Sequence, residues 1–334
     1  MREFIERMRK AGLVVDVKED VSSDMQAPKM AAGTDKLLFF HSIGGHRAVM
    51  NLTASRRSLS LALGVDERQM VMTLADAKFD GKVVEAGTLP MKKPDLNLLP
   101  IMHHYPKDAG KYLTSAIVFS CYEGVENASI HRMQVLDDHR VAARLVEGRH
   151  THVMLKRALA KGEKLPVAVT IGTHPAVTFA SCTRVPAGME LPYAAELMGG
   201  TLKVKRCKNG VRVPEAEIVL EGFITGDLTE EGPFVDITGT YDPVRMQHVI
   251  EFDGMYTKPD FIYHGILPGG DEHKMLMNHT NSGLNCIGGG VDDHLLFINQ
   301  DFPFIRLVKT IKDVHQRSLA SAVLTEQGQN FSLV

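Results

Sequence analysis

Three polar clusters carry residue types that can do chemistry. ENASIHRMQV (126–135) sets Asn127 and Arg132 five positions apart inside a run otherwise patterned as a strand. Odd spacing sends two strand side chains to opposite faces, unless a turn or bulge re-aims one of them. An arginine there reads either as an anion-binding group or as a solvated or ion-paired surface residue. GRHTH (148–152) puts His150 just ahead of a helical patch, as a metal ligand or as a polar boundary residue. EEGPFVDITG (230–239) holds Glu231 and Asp236 in a Gly/Pro-interrupted loop after a long strand. Two carboxylates flanking an arginine suit acid–base work when their environments separate their pKa values, and otherwise they are solvated turn residues. LPGGDEH (267–273), with His264 and His273 beside it, suggests a metal but lacks the HExxH spacing of a zincin.

The surrounding pattern indicates what positions these groups. Phe4, Ile5 and Met8 fall on one helical face and Gly12 stops that helix. LVVDV, KLLFF and RAVMNL read as strands, SRRSLSLALG as a helix ending in Gly, and Asp66 as the cap of a helix running to about Lys78. Residues 85–110, with Pro90, Pro94, Pro100 and Pro106, read as an extended connector. From Thr114 the texture is β-rich: SAIVFSCY, SIHRMQV, VAARLV, PVAVTIG, TLKVKRC and AEIVLEGFIT. Two helical patches interrupt it, at 152–162 and 191–200, each ending in Gly. CIGGG (286–290), a strand FIRLVKTI and a helix VHQRSLASAVL are expected near the end.

Composition narrows the function classes. The 334 residues carry 38 Lys plus Arg against 40 Asp plus Glu, a net charge of −2. Near neutrality, the chain has no electrostatic basis for holding nucleic acid or an anionic membrane. No run approaches the length of an apolar membrane span, and MREFIERMRK lacks the apolar core of a signal peptide, so a cytoplasmic location is expected. The four cysteines (Cys121, Cys182, Cys207, Cys286) have neither CxxC spacing nor the density of a disulfide framework.

Taken in order, Asn127-x4-Arg132, His150, Glu190 and the EGPFxD stretch at 231–236 resemble the UbiD family of prenylated-FMN-dependent decarboxylases. REFIERMRKAG, DAGKYLTSAIVFS, MELPYAAELMGG and KVKRCKNGVRVPEAEIVLEG fit the same family. The resemblance implies an α+β fold: an N-terminal α/β domain with connector (1–110), a central split β-barrel of flavin-reductase type (111–300) and a short C-terminal α/β segment (301–334). It implies that Asn127, His150 and Glu190 hold Mn²⁺ (or Mg²⁺) against the flavin phosphate, Glu190 being preferred to Glu196. K⁺ is expected near the loop ASCTRVP around Ser181 and Cys182, with Ser129, Ile130, Arg149 and His150 contacting the flavin. Arg132, Glu231 and Asp236 match the family's catalytic Glu–Arg–Glu/Asp network. Arg132 would orient the substrate carboxylate, Glu231 would fix the guanidinium, and Asp236, with a pKa raised by burial, would protonate carbon after CO2 leaves.

The expected activity is therefore non-oxidative, reversible decarboxylation of an aromatic or α,β-unsaturated carboxylic acid, with prenylated FMN as electron sink. A flavin prenyltransferase would supply the cofactor, and a homo-oligomer is expected by analogy. The family ordinarily continues beyond NFSLV, and Lys309 and Lys312 lie in no matching motif for its late flavin-facing lysine. A minimal version, a truncated chain, or a non-catalytic or cofactor-holding subunit completed by a second chain are the corresponding alternatives. A metal hydrolase using the many histidines is a further reading, one that needs no flavin.

Overall fold

The structure is a computed structural model that describes residues 1–236 and 239–269. Helix α1 (Arg2–Lys10) buries Phe4, Ile5 and Met8 and carries three basic residues in its last turn, where they complement the helix dipole. Strand β1 (Val14–Val21), helix α2 (Gln26–Ala32) and strands β2 (Leu37–Ile43) and β3 (His46–Met50) follow. Helix α3 (Arg56–Leu63) starts at Ser55, whose hydroxyl accepts the Ser58 N–H in a capping box, and ends at Gly64 in the left-handed region. Asp66 does not cap the next helix. Its carboxylate accepts the Arg68 N–H in a local turn, and α4 (Met70–Asp76) begins later.

The next elements are β4 (Lys82–Thr88), β5 (Tyr112–Leu113), β6 (Ile117–Tyr122), β7 (Val125–Ile130), β8 (Met133–Val135) and β9 (Arg140–Ala143). Then come α5 (His150–Ala160), β10 (Leu165–Ile171), α6 (Pro175–Cys182), α7 (Glu190–Leu197), β11 (Thr201–Arg206) and β12 (Arg212–Pro214). The described chain ends with β13 (Ile218–Glu231), β14 (Phe234–Val235), β15 (Tyr241–Asp242), β16 (Arg245–Thr257) and β17 (Ile262–His264). Two expectations need correction. The start of the 85–110 connector is strand β4, because it pairs parallel with β11. The segment around Ser181 and Cys182 is the last turn of α6, which Pro175 and the His174 cap nucleate, and not a loop.

Strands β1, β2, β3 and β17 form one sheet, so the chain returns to its first layer near residue 262. The main sheet has the order β5-β8-β9-β16-β13-β10-β6-β7, every pair antiparallel. In that order β7 is the last strand and β8 stands beside the first, yet only His131 and Arg132 separate them. Three Cα steps reach roughly 11 Å at most. The sheet must therefore curl until its two ends nearly meet, and the α+β class with a central split barrel is borne out. The interior takes Val118, Val167, Val169 and Leu220, while the alternate residues Phe119, Ala168 and Val219 pack outward beneath α6 and α7. Both faces are thus apolar, which explains strands that alternate only in part. Among the described residues no helix is long and apolar enough to cross a membrane. CIGGG, His273, Cys286, Lys309, Lys312 and the C-terminal segment (301–334) lie outside the described residues.

Candidate active site

The expected strand SIHRMQV is broken, and the break makes the site. β7 ends at Ile130 and β8 begins at Met133, so His131 and Arg132 occupy the seam where the barrel almost closes. The His131 N–H donates to the Ala116 carbonyl, while the Arg132 carbonyl accepts the Arg144 N–H from the other end of the sheet. Asn127 and Arg132 consequently serve two adjacent regions, a cavity on the β7 side and an ion-pair cluster on the β8 side.

The cavity, about 190 Å³ in volume, is lined by Asn127, Ser129, Ile130, His131, Arg149, His150, Thr151, Ser181, Cys182, Arg184 and Glu190. All of the expected cofactor and metal residues meet there, and Glu196 is not among the lining groups. Glu190 opens α7 and is buried, with one carboxylate oxygen 3.5 Å from His150 Nδ1. Its Oε2 is buried and has no partner among the described residues. The Glu190 carboxylate raises the His150 pKa, against a desolvation that lowers it. Asn127 Nδ2 donates to Thr151 Oγ1 (3.1 Å) and Ser129 Oγ (3.3 Å), which leaves the amide oxygen for a cation. An amide oxygen, a carboxylate with an orphaned oxygen and one imidazole make a hard donor set that fits Mn²⁺ or Mg²⁺.

The other cavity groups are held neutral or already engaged. His131 is buried and its pKa is pushed down to about 4. Its Nδ1 bonds the Arg144 carbonyl and its Nε2 the Ser129 hydroxyl, at 2.9 and 2.8 Å. Burial pushes the Cys182 thiol up to about 12, which disfavours its thiolate form. Ser181 Oγ donates to the Val177 carbonyl. Arg149 and Arg184 add positive charge at the wall, suited to a phosphate.

On the other side of the seam, Arg132 is 9% exposed. Its Nε and Nη2 donate to the two oxygens of Glu231, each at 3.0 Å, and Nη2 also donates to Asp242 Oδ2 at 2.7 Å. The Phe234 ring lies 5.1 Å below the guanidinium. Burial alone would lower the Arg132 pKa, but Glu231 and Asp242 outweigh it and raise it. Nε and Nη2 are fully used, and among the described residues the two N–H groups of Nη1 have no partner. They can donate a charge-assisted hydrogen bond to an incoming carboxylate.

The carboxylates differ from expectation in two ways. Glu231 is not in a loop: it is the last residue of β13 and completely buried. Asp236 does not reach Arg132. It is exposed in the turn between β14 and β15, its N–H bonded to the Thr240 carbonyl. The β14–β15 register sets Asp242 opposite Phe234, and that places Asp242 on the guanidinium instead. Burial raises the Asp242 pKa, but hydrogen bonds from Arg245 and Arg132 hold it below its ordinary value. Asp108 anchors the hairpin, one oxygen accepting the Val235 N–H and the other the Tyr105 N–H. His264 is buried and its pKa is pushed down to about 4, while the rest of the suggested cluster, from Gly270 to His273, lies outside the described residues. Sequence reasoning missed Asp242, Asp108, Thr151, His131 and Arg184. All but Asp242 lay inside runs already singled out: His131 and Thr151 in the polar clusters, Arg184 in ASCTRVP and Asp108 at the start of DAGKYLTSAIVFS.

Split barrel, cavity and buried ion pair together define a class. Residues 5–78 match the model for the 3-octaprenyl-4-hydroxybenzoate carboxy-lyase N-terminal domain, and residues 75–271 match that for the carboxy-lyase Rift-related domain. The chain belongs to the UbiD family. It is 44% identical over 282 residues to the anhydromevalonate phosphate decarboxylase of Methanosarcina mazei, covering 83% of this chain and 67% of the relative. It is 49% identical over 241 residues to the protein of that name from Archaeoglobus fulgidus, covering 71% of this chain and 56% of the relative. The chain thus spans little more than half the length of the second relative. Among solved structures, an evolved dimeric form of the UbiD-class enzyme HmfF from Pelotomaculum thermopropionicum, in complex with prFMN, superposes with a TM-score of 0.77 at 29% identity. That match covers 83% of this chain and 69% of the other. Vanillic acid decarboxylase from Sedimentibacter hydroxybenzoicus, in closed form, gives 0.76 at 26% identity, over 83% of this chain and 66% of the other.

Proposed function

We propose that this chain is the catalytic core of a reversible, non-oxidative decarboxylase acting on anhydromevalonate phosphate, a phosphorylated α,β-unsaturated acid. The relatives' names favour this enoate over the aromatic acids that the family also suggests. The observation that carries the reading is the Arg132 guanidinium: its Nε–Nη2 edge is clamped by buried Glu231, and among the described residues Nη1 has no partner.

Asn127, His150 and Glu190 would hold Mn²⁺ or Mg²⁺, which would supply positive charge for a flavin phosphate. K⁺ would sit on backbone oxygens near Ser181 and Cys182. Ser129, Ile130 and Arg149 would contact the flavin. When bound, prenylated FMN supplies the electron sink for a vinyl carbanion that has no other place for its charge. Arg132 binds the substrate carboxylate through Nη1 and sets the scissile bond. Glu231 fixes the guanidinium plane and balances its charge in a site with little water to screen either. Asp242, its pKa held down, stays an anion and is a poor acid. The proton that replaces CO2 is assigned to Asp236, and that role requires bound substrate to cover the exposed carboxyl. A flavin prenyltransferase as supplier and a homo-oligomer belong to the same reading.

The test is co-expression with a flavin prenyltransferase, followed by metal analysis, a UV–visible spectrum and CO2 release from anhydromevalonate phosphate. Release with flavin and metal near one per chain supports the reading. A fully loaded protein that leaves this acid untouched but decarboxylates an aromatic acid overturns the substrate assignment.

A further inference from the structure

Three guanidiniums share two carboxylates beside the seam. Arg132 takes both oxygens of Glu231, while Arg132, Arg245 and Arg144 all face Asp242, at 2.7, 3.0 and 3.9 Å. The cluster therefore carries one excess positive charge. Arg144 is tied to the seam through its backbone, its carbonyl accepting from His131. Arg245 is different. It opens β16 directly across from Glu231 in the strand register, and it is more exposed than the rest of the cluster. Asp242 is its only charged partner among the described residues, bonded through a single Nη2 contact to Oδ1. Most of the Arg245 donors therefore stay available.

The spacing suggests their use. Arg132 and Arg245 sit on opposite oxygens of one carboxylate. Their nitrogens lie 2.7 and 3.0 Å from those oxygens, so with about 2.2 Å between the oxygens the two nitrogens are at most about 8 Å apart. An extended chain advances roughly 1.2 Å per bond. In a 5-phosphooxy-pent-2-enoate about six bonds join the carboxyl carbon to phosphorus, which corresponds to roughly 7 Å on the same rise. We propose that Arg245 is the second anion handle of the site, binding the substrate's phosphate while Arg132 binds its carboxylate, so that Asp242 sets the distance between the two. This inference rests on the decarboxylase reading for its substrate, and it names a specificity-determining residue that the reading does not contain.

Arg245 could instead act only by clamping Asp242 against Arg132. The two roles predict different patterns. The holoenzyme, Arg245→Gln, Arg245→Lys and Asp242→Asn are each assayed with anhydromevalonate phosphate and with its unphosphorylated parent acid. As phosphate handle, Arg245→Gln lowers the ratio of the two kcat/KM values on the order of 10- to 100-fold, the loss of a hydrogen bond to a charged group. Arg245→Lys recovers part of it, and Asp242→Asn depresses both substrates. If Arg245→Gln lowers both substrates alike and leaves the ratio at the wild-type value, Arg245 is only a clamp and the proposal is overturned.

A second readout separates this failure from failure of the decarboxylase reading. Calorimetry measures binding of 3-methyl-5-phosphooxypentanoate and of 3-methylpentanoate, neither of which can turn over, to the same proteins. A phosphate-dependent affinity that Arg245→Gln removes upholds the handle, even in a protein that releases no CO2. Equal affinity for the two acids in the wild type overturns it, even in an active one.

Discussion

Replacing Glu231 by Gln tests the centre of the proposed chemistry. Glu231 is completely buried, and both its oxygens accept from Arg132 at 3.0 Å. An amide keeps one acceptor but turns an NH2 group toward a guanidinium N–H. One charge-assisted hydrogen bond is lost and the other is weakened. A hydrogen bond to a charged group contributes roughly 1.5–3 kcal/mol, so the loss is about 3 kcal/mol. Arg132 is 9% exposed, leaving little solvent to screen the change. Asp242 still holds Nη2 at 2.7 Å, so the guanidinium loosens without leaving the site. At a factor of ten per roughly 1.4 kcal/mol, kcat/KM for decarboxylation falls about 100-fold. Flavin absorbance stays near the wild-type level, because Glu231 lies outside the cofactor cavity. The assay is initial-rate CO2 release with the flavin spectrum recorded on the same sample. A Glu231→Gln protein within about threefold of wild-type kcat/KM would show that Arg132 needs no buried counter-ion, and the mechanism would fail at its first step.

Other outcomes follow from the same geometry. On the proposed function, Asp236→Asn abolishes turnover while flavin remains bound; undiminished CO2 release would reassign the proton donor. His150→Ala and Glu190→Gln lose metal and flavin together, read by elemental analysis and absorbance, because each removes one of the three converging donors. Burial depresses His131, His174 and His264 to about 4 and His104 to about 3. Unfolded, these groups bind protons below about 6.5. Below that pH the unfolded state binds more protons than the folded one. The stability they contribute is complete above 6.5 and declines as pH falls toward 4. Thermal unfolding followed from pH 7 to 4.5 should show this slope, reduced in His131→Asn; a flat profile would contradict the burial.

Much of the helical and strand content was legible because it depends on local pattern. Phe4, Ile5 and Met8 recur at helical spacing, and SAIVFSCY and AEIVLEGFIT are rich in strand formers. Local pattern failed where distant pairing decided the outcome. β4 reads as connector until β11 pairs with it, and Glu231 reads as loop until β16 extends β13 to that residue. α6 was hidden because PAVTFASC is apolar on all sides, being packed between the sheet and α7, so no amphipathic period marks it.

The sequence by itself determined the family and the cast of the cavity: Asn127, His150 and Glu190, with Ser129, Ile130, Arg149, Ser181 and Cys182, meet as their motifs implied. Those motifs are short runs in a fixed order along the chain, and order and residue type are legible in a sequence. The partners of Arg132 were decided by the tertiary structure alone. Asp236 stands five residues after Glu231 and matched by spacing, but the hairpin turns it outward and brings in Asp242, 110 residues along the chain from Arg132. Strand register chooses which side chain faces which, a one-residue shift reverses the choice, and nothing in a local motif encodes it. The seam at His131–Arg132 is of the same kind: two residues look like mid-strand until the sheet curls and leaves them to bridge its ends.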